Sequence, residues 1–147
     1  MSPTLASPTL GSIVIDASLT LSWYFEDART PATDTLLEQA AENGAVVPPL
    51  WRLEVANGLQ MAIRRTRIDT AFRDRALGQL IRLPIIIDPD TDHHTWTTTL
   101  RLADRFTLTI YDATYLELAQ RRDLPLATLD SELHAAGRVL GLAVLGT

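Results

Sequence analysis

Short apolar runs recur along this chain, and a longer stretch of helix-forming sequence separates each run from the next. The predicted strands cover residues 12–16, 45–47, 84–88, 126–130 and 142–145. Strands that alternate with helices indicate an α/β fold, because parallel strands are joined by helices that cover both faces of their sheet. We therefore expect three layers, α/β/α, around a mainly parallel central sheet.

The predicted helices cover residues 17–25, 31–43, 50–65, 69–83, 92–105, 111–122 and 131–140. Local signals mark several of their ends. Thr30 followed by Pro31 is typical of a capping residue and a first helical position, and Asp69 is a favoured cap for the helix after it. An Asn43-Gly44 pair stops the second helix. The elements follow one another without an internal repeat or a linker, which predicts one domain.

The domain is expected at residues 12–147, after a flexible tail at residues 1–11 that is rich in Ser, Pro and Thr. Hydrophobic residues make up 46% of the chain and charged residues 21%, an ordinary globular balance. The tail lacks the basic and apolar segments of a signal peptide, and no apolar run approaches the roughly 20 residues of a membrane span. The absence of cysteine suits a reducing cytoplasm, where we expect the protein to act.

All 13 basic residues are arginine, and the chain has no lysine and no cysteine. Walker-type ATPases, Schiff-base aldolases and response-regulator receivers depend on a lysine, and thiolate zinc sites depend on cysteine. These classes are therefore disfavoured. Taken alone, the net charge of −5 argues against a nucleic-acid partner. Acids gathered around a cation would, however, reverse the local field.

Four acids lie in apolar local sequence, where idle surface residues are less common. Asp16 and Asp130 end the first and fourth predicted strands, Asp112 opens a helix, and Glu54 lies one turn into a helix with Asn57 on the same face. Carboxyl ends of parallel strands are where ligands bind in open α/β sheets. Crowded carboxylates repel one another unless a cation neutralises them, and Mg²⁺ or Mn²⁺ prefers such oxygen ligands. Each acid alone also has a structural explanation, as a helix cap, a dipole partner or a solvated surface group.

Four segments that contain these acids resemble, in order, the motifs of the PIN-domain ribonucleases, and among them the VapC toxins of bacterial toxin–antitoxin pairs. The segments are residues 14–18 (Val-Ile-Asp-Ala-Ser), 53–59 (Leu-Glu-Val-Ala-Asn-Gly-Leu), 109–119 (Thr-Ile-Tyr-Asp-Ala-Thr-Tyr-Leu-Glu-Leu-Ala) and 126–133 (Leu-Ala-Thr-Leu-Asp-Ser-Glu-Leu). Each motif alone is weak, but the ordered set spans nearly the whole chain. The resemblance implies a PIN-like fold with the first and fourth long strands side by side.

The resemblance also implies a site. Its catalytic acids would be Asp16, Glu54, Asp112 and Asp130, with Asp16, Asp112 and Asp130 as ligands of one or two Mg²⁺ or Mn²⁺ ions. Ser18, Thr128 and Asn57 match supporting positions, although helix capping and turn formation explain the two hydroxyls equally well. A metal-activated water would hydrolyse RNA and leave 5′-phosphate and 3′-hydroxyl ends. The implied partners are RNA, a small VapB-like antitoxin and a second copy of the chain in a homodimer, with no membrane.

Other residues have more than one interpretation. Arg64, Arg65 and Arg67 form the densest basic cluster, which suits phosphate binding but also a helix C-terminus. We expect a set of apolar side chains to line a groove for a helix of the antitoxin. This set comprises Trp23, Phe25, Trp51 and Leu53. An arginine of that partner would enter the acidic cleft. Glu117, five residues after Asp112, need not share the acidic site.

Alternative functions remain open. A PIN-fold nuclease could process RNA or cleave a flap-like DNA substrate, and a PIN-like fold could also serve as a non-catalytic binding module. A phosphatase of the haloacid dehalogenase type is less favoured, because Asp16-Ala17-Ser18 has serine where that class needs a second aspartate.

Overall fold

A computed structural model describes residues 12–146 and contains one sheet of five strands. The strands are β1 (Ile13–Ile15), β2 (Ala45–Val47), β3 (Ile85–Ile87), β4 (Leu126–Ala127) and β5 (Val144–Leu145). They lie in the order β3-β2-β1-β4-β5, and every neighbouring pair is parallel. The α/β fold predicted from the alternating pattern is therefore confirmed. The predicted tail and Thr147 lie outside the described residues.

Eight α-helices and one π-helical turn occupy the described part of the chain. They are α1 (Ala17–Ser22), α2 (Pro31–Asn43), α3 (Leu50–Arg64), α4 (Thr70–Ile81), α5 (Thr91–His94), the π turn (Thr95–Thr99), α6 (Leu100–Phe106), α7 (Ile110–Arg122) and α8 (Ser131–Val139). Within these residues no helix is long and apolar enough to cross a membrane. The capping predictions are confirmed, since Thr30 forms a capping box with Thr33 and Asp69 accepts a hydrogen bond from the Phe72 backbone N–H at 2.8 Å.

Two helix predictions were wrong in extent. The first helix ends at Ser22 rather than at residue 25, because Trp23 turns into the core and donates its indole N–H to the Thr33 carbonyl of α2 at 2.8 Å. The helix predicted at residues 92–105 is divided by the π turn, whose sequence is Thr-Trp-Thr-Thr-Thr. Adjacent β-branched side chains crowd one another against the preceding helical turn, which favours a local departure from α geometry.

The centre of the sheet brings the carboxyl ends of β1 and β4 together. Val14 pairs with Leu126 and Ile15 with Ala127, and all of these side chains are fully buried. The Asp16 backbone N–H continues this pairing by donating to the Ala127 carbonyl at 3.2 Å. The predicted adjacency of the first and fourth strands is confirmed, and the chain segments that follow both strands leave the sheet at the same edge.

Helix α3 lies close to this edge because it packs tightly against α1. A Cβ on Gly58 of α3 would come within 2.3 Å of Leu21 Cδ1 of α1, so only glycine permits this approach without moving Leu21. The Trp51 indole N–H of α3 also donates to Thr20 Oγ1 of α1 at 2.9 Å. This packing places α3, which carries Glu54, beside the helix that begins directly after Asp16.

Candidate functional site

Asp16 is a buried carboxylate at the point where β1 becomes α1. Its side chain caps α1, where Oδ1 accepts hydrogen bonds from the Leu19 backbone N–H at 2.9 Å and from Ser18 Oγ at 2.7 Å. Oδ2 accepts a hydrogen bond from Thr128 Oγ1. Burial raises the pKa of Asp16 above its ordinary value, and these hydrogen bonds only partly offset that effect. Capping therefore accounts for the position of Asp16, but its 4% exposure makes an unpaired charge there costly.

Ser18 and Thr128 connect Asp16 to the segment that carries Asp130. Ser18 Oγ accepts a hydrogen bond from the Leu129 backbone N–H at 3.1 Å, and Thr128 Oγ1 accepts one from the Asp130 backbone N–H at 3.0 Å. The second bond forms a local turn that takes the chain out of β4, which ends at Ala127 instead of extending to residue 130. The two hydroxyls thus hold the two acid-bearing segments together, while the helix caps are the carboxylates of Asp16 and Asp130.

Asp130 and Asp112 both lie in the first turn of a helix or at its cap. Asp130 caps α8 and accepts hydrogen bonds at Oδ1 from the backbone N–H groups of Glu132 and Leu133, at 2.8 and 3.2 Å. Asp112 lies in the first turn of α7, and its backbone N–H donates to Thr109 Oγ1, the cap of that helix, at 3.1 Å. The positive ends of two helix dipoles therefore face this region and favour anionic groups there.

The electrostatics of Asp112 connect it to the other three predicted acids. Burial is the first cause that raises the pKa of Asp112 to about 6, and the charges of Asp130, Asp16 and Glu54 follow in that order. No arginine within residues 12–146 forms an ion pair with any of these four carboxylates. The cluster therefore carries mutual repulsion that no arginine of the described chain neutralises.

Glu54 is held by a residue that the sequence reasoning missed. Tyr115 on α7 is 1% exposed, and its hydroxyl donates to Glu54 Oε1 at 2.6 Å. Burial, the hydrogen bond to Glu54 and the charge of Glu54 raise the pKa of Tyr115 far above its ordinary value, so the phenol keeps its proton. The i, i+3 spacing of Tyr115 from Asp112 was a usable signal, because it places both side chains on one face of the helix.

The donor set of this cluster fits a divalent cation. It consists of carboxylate oxygens, the ligands that Mg²⁺ and Mn²⁺ prefer, and its unneutralised charge would attract a cation. Within residues 12–146 no three Asp, Glu or His side chains form a group that could hold a metal ion as they stand. A bound cation would offset the negative charges that help to raise the pKa of Asp112.

The remaining predicted site residues differ in their surroundings. Asn57 is exposed and makes no side-chain hydrogen bond within the described residues, so its supporting role stays a prediction. Arg64 and Arg65 are exposed at the end of α3. Arg67, by contrast, pairs with Asp27 at 2.8 Å and lies over the Phe25 ring, 4.6 Å from its centroid. The predicted basic cluster is thus divided into two free cations and one that already has partners.

The apolar set expected to line a groove needs correction. Trp23 and Trp51 are each 5% exposed and belong to the core, because both indoles have hydrogen-bond acceptors inside the fold. Leu53 is 72% exposed. Phe25 lines an open groove between the α1–α2 connection and the α3–α4 connection, together with Tyr24, Ile63, Ile68 and Phe72.

Glu117 does not belong to the acidic site. It is buried and pairs with Arg121 at 2.7 Å in a second charged cluster that also contains Asp88 and Arg122. The placement of Glu117 away from the four acids agrees with the helical angle that separates it from Asp112. Asp88 is a further residue that the sequence reasoning did not identify.

Comparisons with known proteins agree with this geometry. Residues 13–139 match the PIN domain family, and the chain belongs to that family. Within it, the chain is similar to ribonuclease VapC1 of Mycobacterium tuberculosis, in strains CDC 1551 and H37Rv. The identity is 34% over 107 residues, which are 69% of this chain and 71% of the relative. The crystal structure of PAE2754 from Pyrobaculum aerophilum shares the fold, with a TM-score of 0.67 and 24% identity over 92% of this chain and 90% of that one.

Proposed function

We propose that this protein is a divalent-metal-dependent endoribonuclease that acts as the toxin of a type II toxin–antitoxin pair. The observation that carries the proposal is the cluster of four acids, in which the charges of Asp130, Asp16 and Glu54 act on Asp112 and no arginine of the described residues forms an ion pair with them. Membership of the PIN-domain family and similarity to a protein named as a ribonuclease support RNA as the substrate.

The chain's own residues would divide the work as follows. Asp16, Asp112 and Asp130 would hold Mg²⁺ or Mn²⁺, which when bound lowers the pKa of water and stabilises negative charge on a phosphate. Ser18 and Thr128 keep Asp16 in place through the hydrogen bonds described above. Glu54 would orient the attacking water and take its proton. The water oxygen forms the new bond to phosphorus as the bond to O3′ breaks, O3′ takes up a proton, and the ends are a 5′-phosphate and a 3′-hydroxyl.

The first test is metal linkage. Mn²⁺ should raise the melting temperature of the wild type, because a ligand that binds only the native state stabilises it. The Asp16→Asn/Asp112→Asn double variant should lose that response and all cleavage of RNA. Glu54→Gln and Asp130→Asn should each fold and abolish cleavage. An unchanged metal response in the double variant would place the metal elsewhere, and wild-type rates in either single variant would remove that residue from the site.

The same assay separates the alternatives. A non-catalytic binding module should show neither Mn²⁺-dependent stabilisation nor cleavage. A nuclease that processes RNA or cuts flap-like DNA should cleave a structured substrate in preference to unstructured RNA. A toxin should cleave cellular RNA in the cytoplasm and arrest growth when it is expressed. Glu54→Gln should abolish both effects.

The toxin assignment requires an inhibitor. We propose a small antitoxin whose amphipathic helix packs into the groove lined by Tyr24, Phe25, Ile63, Ile68 and Phe72 and whose arginine enters the acid cluster. Co-expression with the small protein encoded next to this gene should suppress cleavage. If changing its arginines to alanine leaves binding intact but restores cleavage, this arrangement is supported. Persistent inhibition would mean that the partner blocks RNA elsewhere. The homodimer stays a prediction.

A further inference from the structure

Tyr115 connects two helices that each contribute an acid to the site. It lies on α7, three residues after Asp112, and its hydroxyl reaches Glu54 on α3, a partner 61 residues away in the sequence. One face of α7 therefore carries both an acid of the cluster and the donor that contacts a second acid. Any shift of α3 relative to α7 would change the distance between the Tyr115 hydroxyl and Glu54 Oε1.

The hydroxyl of Tyr115 is not explained by packing alone. At 1% exposure the ring fills space in the core, and phenylalanine would fill nearly the same space without burying a polar group. A buried hydroxyl needs a partner, and here that partner is the side chain of a predicted catalytic acid at 2.6 Å.

The contact restricts one oxygen of Glu54 and leaves the other available. Oε1 accepts the hydrogen bond from Tyr115, and Oε2 is the second oxygen of the carboxylate, which this bond does not engage. A glutamate has three rotatable bonds, so without the hydroxyl its carboxylate would be free to turn away from the repulsion of the other three acids. Donors that fix the orientation of catalytic or metal-binding carboxylates commonly change metal affinity or activity by about 10- to 100-fold.

We propose that Tyr115 is a positioning residue that holds the Glu54 carboxylate in one orientation within the acid cluster, leaving Oε2 for the attacking water. This inference rests on the proposed function and deepens it. Tyr115 would touch neither the substrate nor the metal and would act only through Glu54.

The test compares Tyr115→Phe with Tyr111→Phe. Tyr111 lies one turn earlier on the same helix and is 59% exposed. Tyr111→Phe therefore also removes a phenol hydroxyl, but one that lies at the surface. Tyr115→Phe should fold and leave KM for RNA nearly unchanged. It should lower either the Mn²⁺ affinity, measured by titration calorimetry, or kcat by about 10- to 100-fold. Tyr111→Phe should match the wild type in Mn²⁺ affinity and melting temperature.

A double-variant cycle separates positioning from a general structural role. In the Glu54→Gln background, Tyr115→Phe should cause little further loss of Mn²⁺ affinity, because the negative charge that the hydroxyl positions beside the metal-binding acids is already gone. If the two losses add in full, Tyr115 serves the fold independently of Glu54 and the proposal is wrong. Wild-type Mn²⁺ affinity and kcat in Tyr115→Phe would also overturn it, while leaving the proposed function intact. Failure of the wild type itself to bind Mn²⁺ or cleave RNA would instead reject the proposed function.

Discussion

At the scale of single residues, the site depends on charges that the fold holds together against their repulsion. Asp112 shows this most directly, since burial and then the charges of Asp130, Asp16 and Glu54 raise its pKa to about 6. Protein residues whose pKa is shifted by burial and by like charges are enriched in functional sites. The same shift makes the stability of the metal-free protein depend on pH.

Replacing Asp112 by asparagine should stabilise the metal-free protein at neutral pH. The pKa of Asp112 is higher in the folded protein, about 6, than its ordinary value of 3.8, so the folded state binds its proton more tightly. The stability that this group contributes is therefore complete below about pH 4 and is lost as pH rises through about 6. With EDTA present, Asp112→Asn should match the wild type near pH 4 and exceed it by about 1–2 kcal/mol at pH 7.5, after allowance for solvent screening.

Urea unfolding at both pH values measures this difference. Saturating Mn²⁺ supplies a control, because the ion should stabilise the wild type and not the variant, and so reverse their order at pH 7.5. A stability difference that does not change between pH 4 and pH 7.5 would show that Asp112 does not carry the predicted charge strain.

At the scale of elements, a buried charged cluster joins the end of β3 to the C-terminal end of α7. The Asp88 carboxylate, fully buried, accepts hydrogen bonds from Arg121 at 2.7 Å, from Arg122 at 2.9 Å and from Thr91 at 2.6 Å. Burial alone would raise the pKa of Asp88, but the hydrogen bonds from Arg121, Thr91 and Arg122 more than offset it and hold the pKa well below its ordinary value. The opposite end of α7 carries Asp112, so this cluster anchors a helix that contributes to the candidate site.

Asp88→Asn should lower the free energy of unfolding at pH 7 by about 2–4 kcal/mol, because it leaves two arginines without their buried partner. The group's folded pKa is depressed, so its contribution is present above the unfolded value of about 3.9 and is lost as pH falls below it. The gap between variant and wild type should therefore narrow below about pH 4.

Asp27→Asn is the matched control, because it breaks an ion pair with Arg67 whose Asp side chain is 75% exposed. An exposed pair should be worth less than about 1 kcal/mol. Equal losses in Asp27→Asn and Asp88→Asn, measured by urea unfolding, would mean that the buried cluster does not anchor α7.

At the scale of the whole molecule, a chain with a net charge of −5 must still attract a polyanion if the proposed function holds. The acids that oppose RNA are partly gathered in one site, where a divalent ion would neutralise them. Arg64 and Arg65 are exposed at the end of the helix that carries Glu54, about 15 Å further along it at 1.5 Å per residue. We expect these two arginines to guide the RNA backbone towards the cluster.

In a Glu54→Gln background that cannot cleave, Arg64→Ala/Arg65→Ala should weaken RNA binding. The slope of log affinity against log salt should fall by about 1.4, since each phosphate contact on a single strand contributes about 0.7. Arg67→Ala should change this slope much less, because Asp27 and Phe25 already engage that guanidinium. Equal slopes for all three proteins, measured by fluorescence anisotropy over a salt series, would place the RNA path on another surface.

The sequence alone determined the alternation of strands and helices and the caps at Thr30 and Asp69, and it predicted the set of four acids. These features were accessible because they are local: periodicity, capping preference and residue identity each act within a few positions. The identity of the acids as a set came from the order of four short motifs rather than from any single one.

Only the tertiary structure decided how those residues are used. The bond between Tyr115 and Glu54 joins positions 61 apart, and the one between Thr128 and Asp16 joins positions 112 apart. The burial of Trp23 and Trp51, expected to line a groove, likewise depends on acceptors in Thr33 and Thr20. Burial, pairing and pKa are properties of a side chain's surroundings, and those surroundings come from distant parts of the chain that meet only when the sheet and its helices assemble.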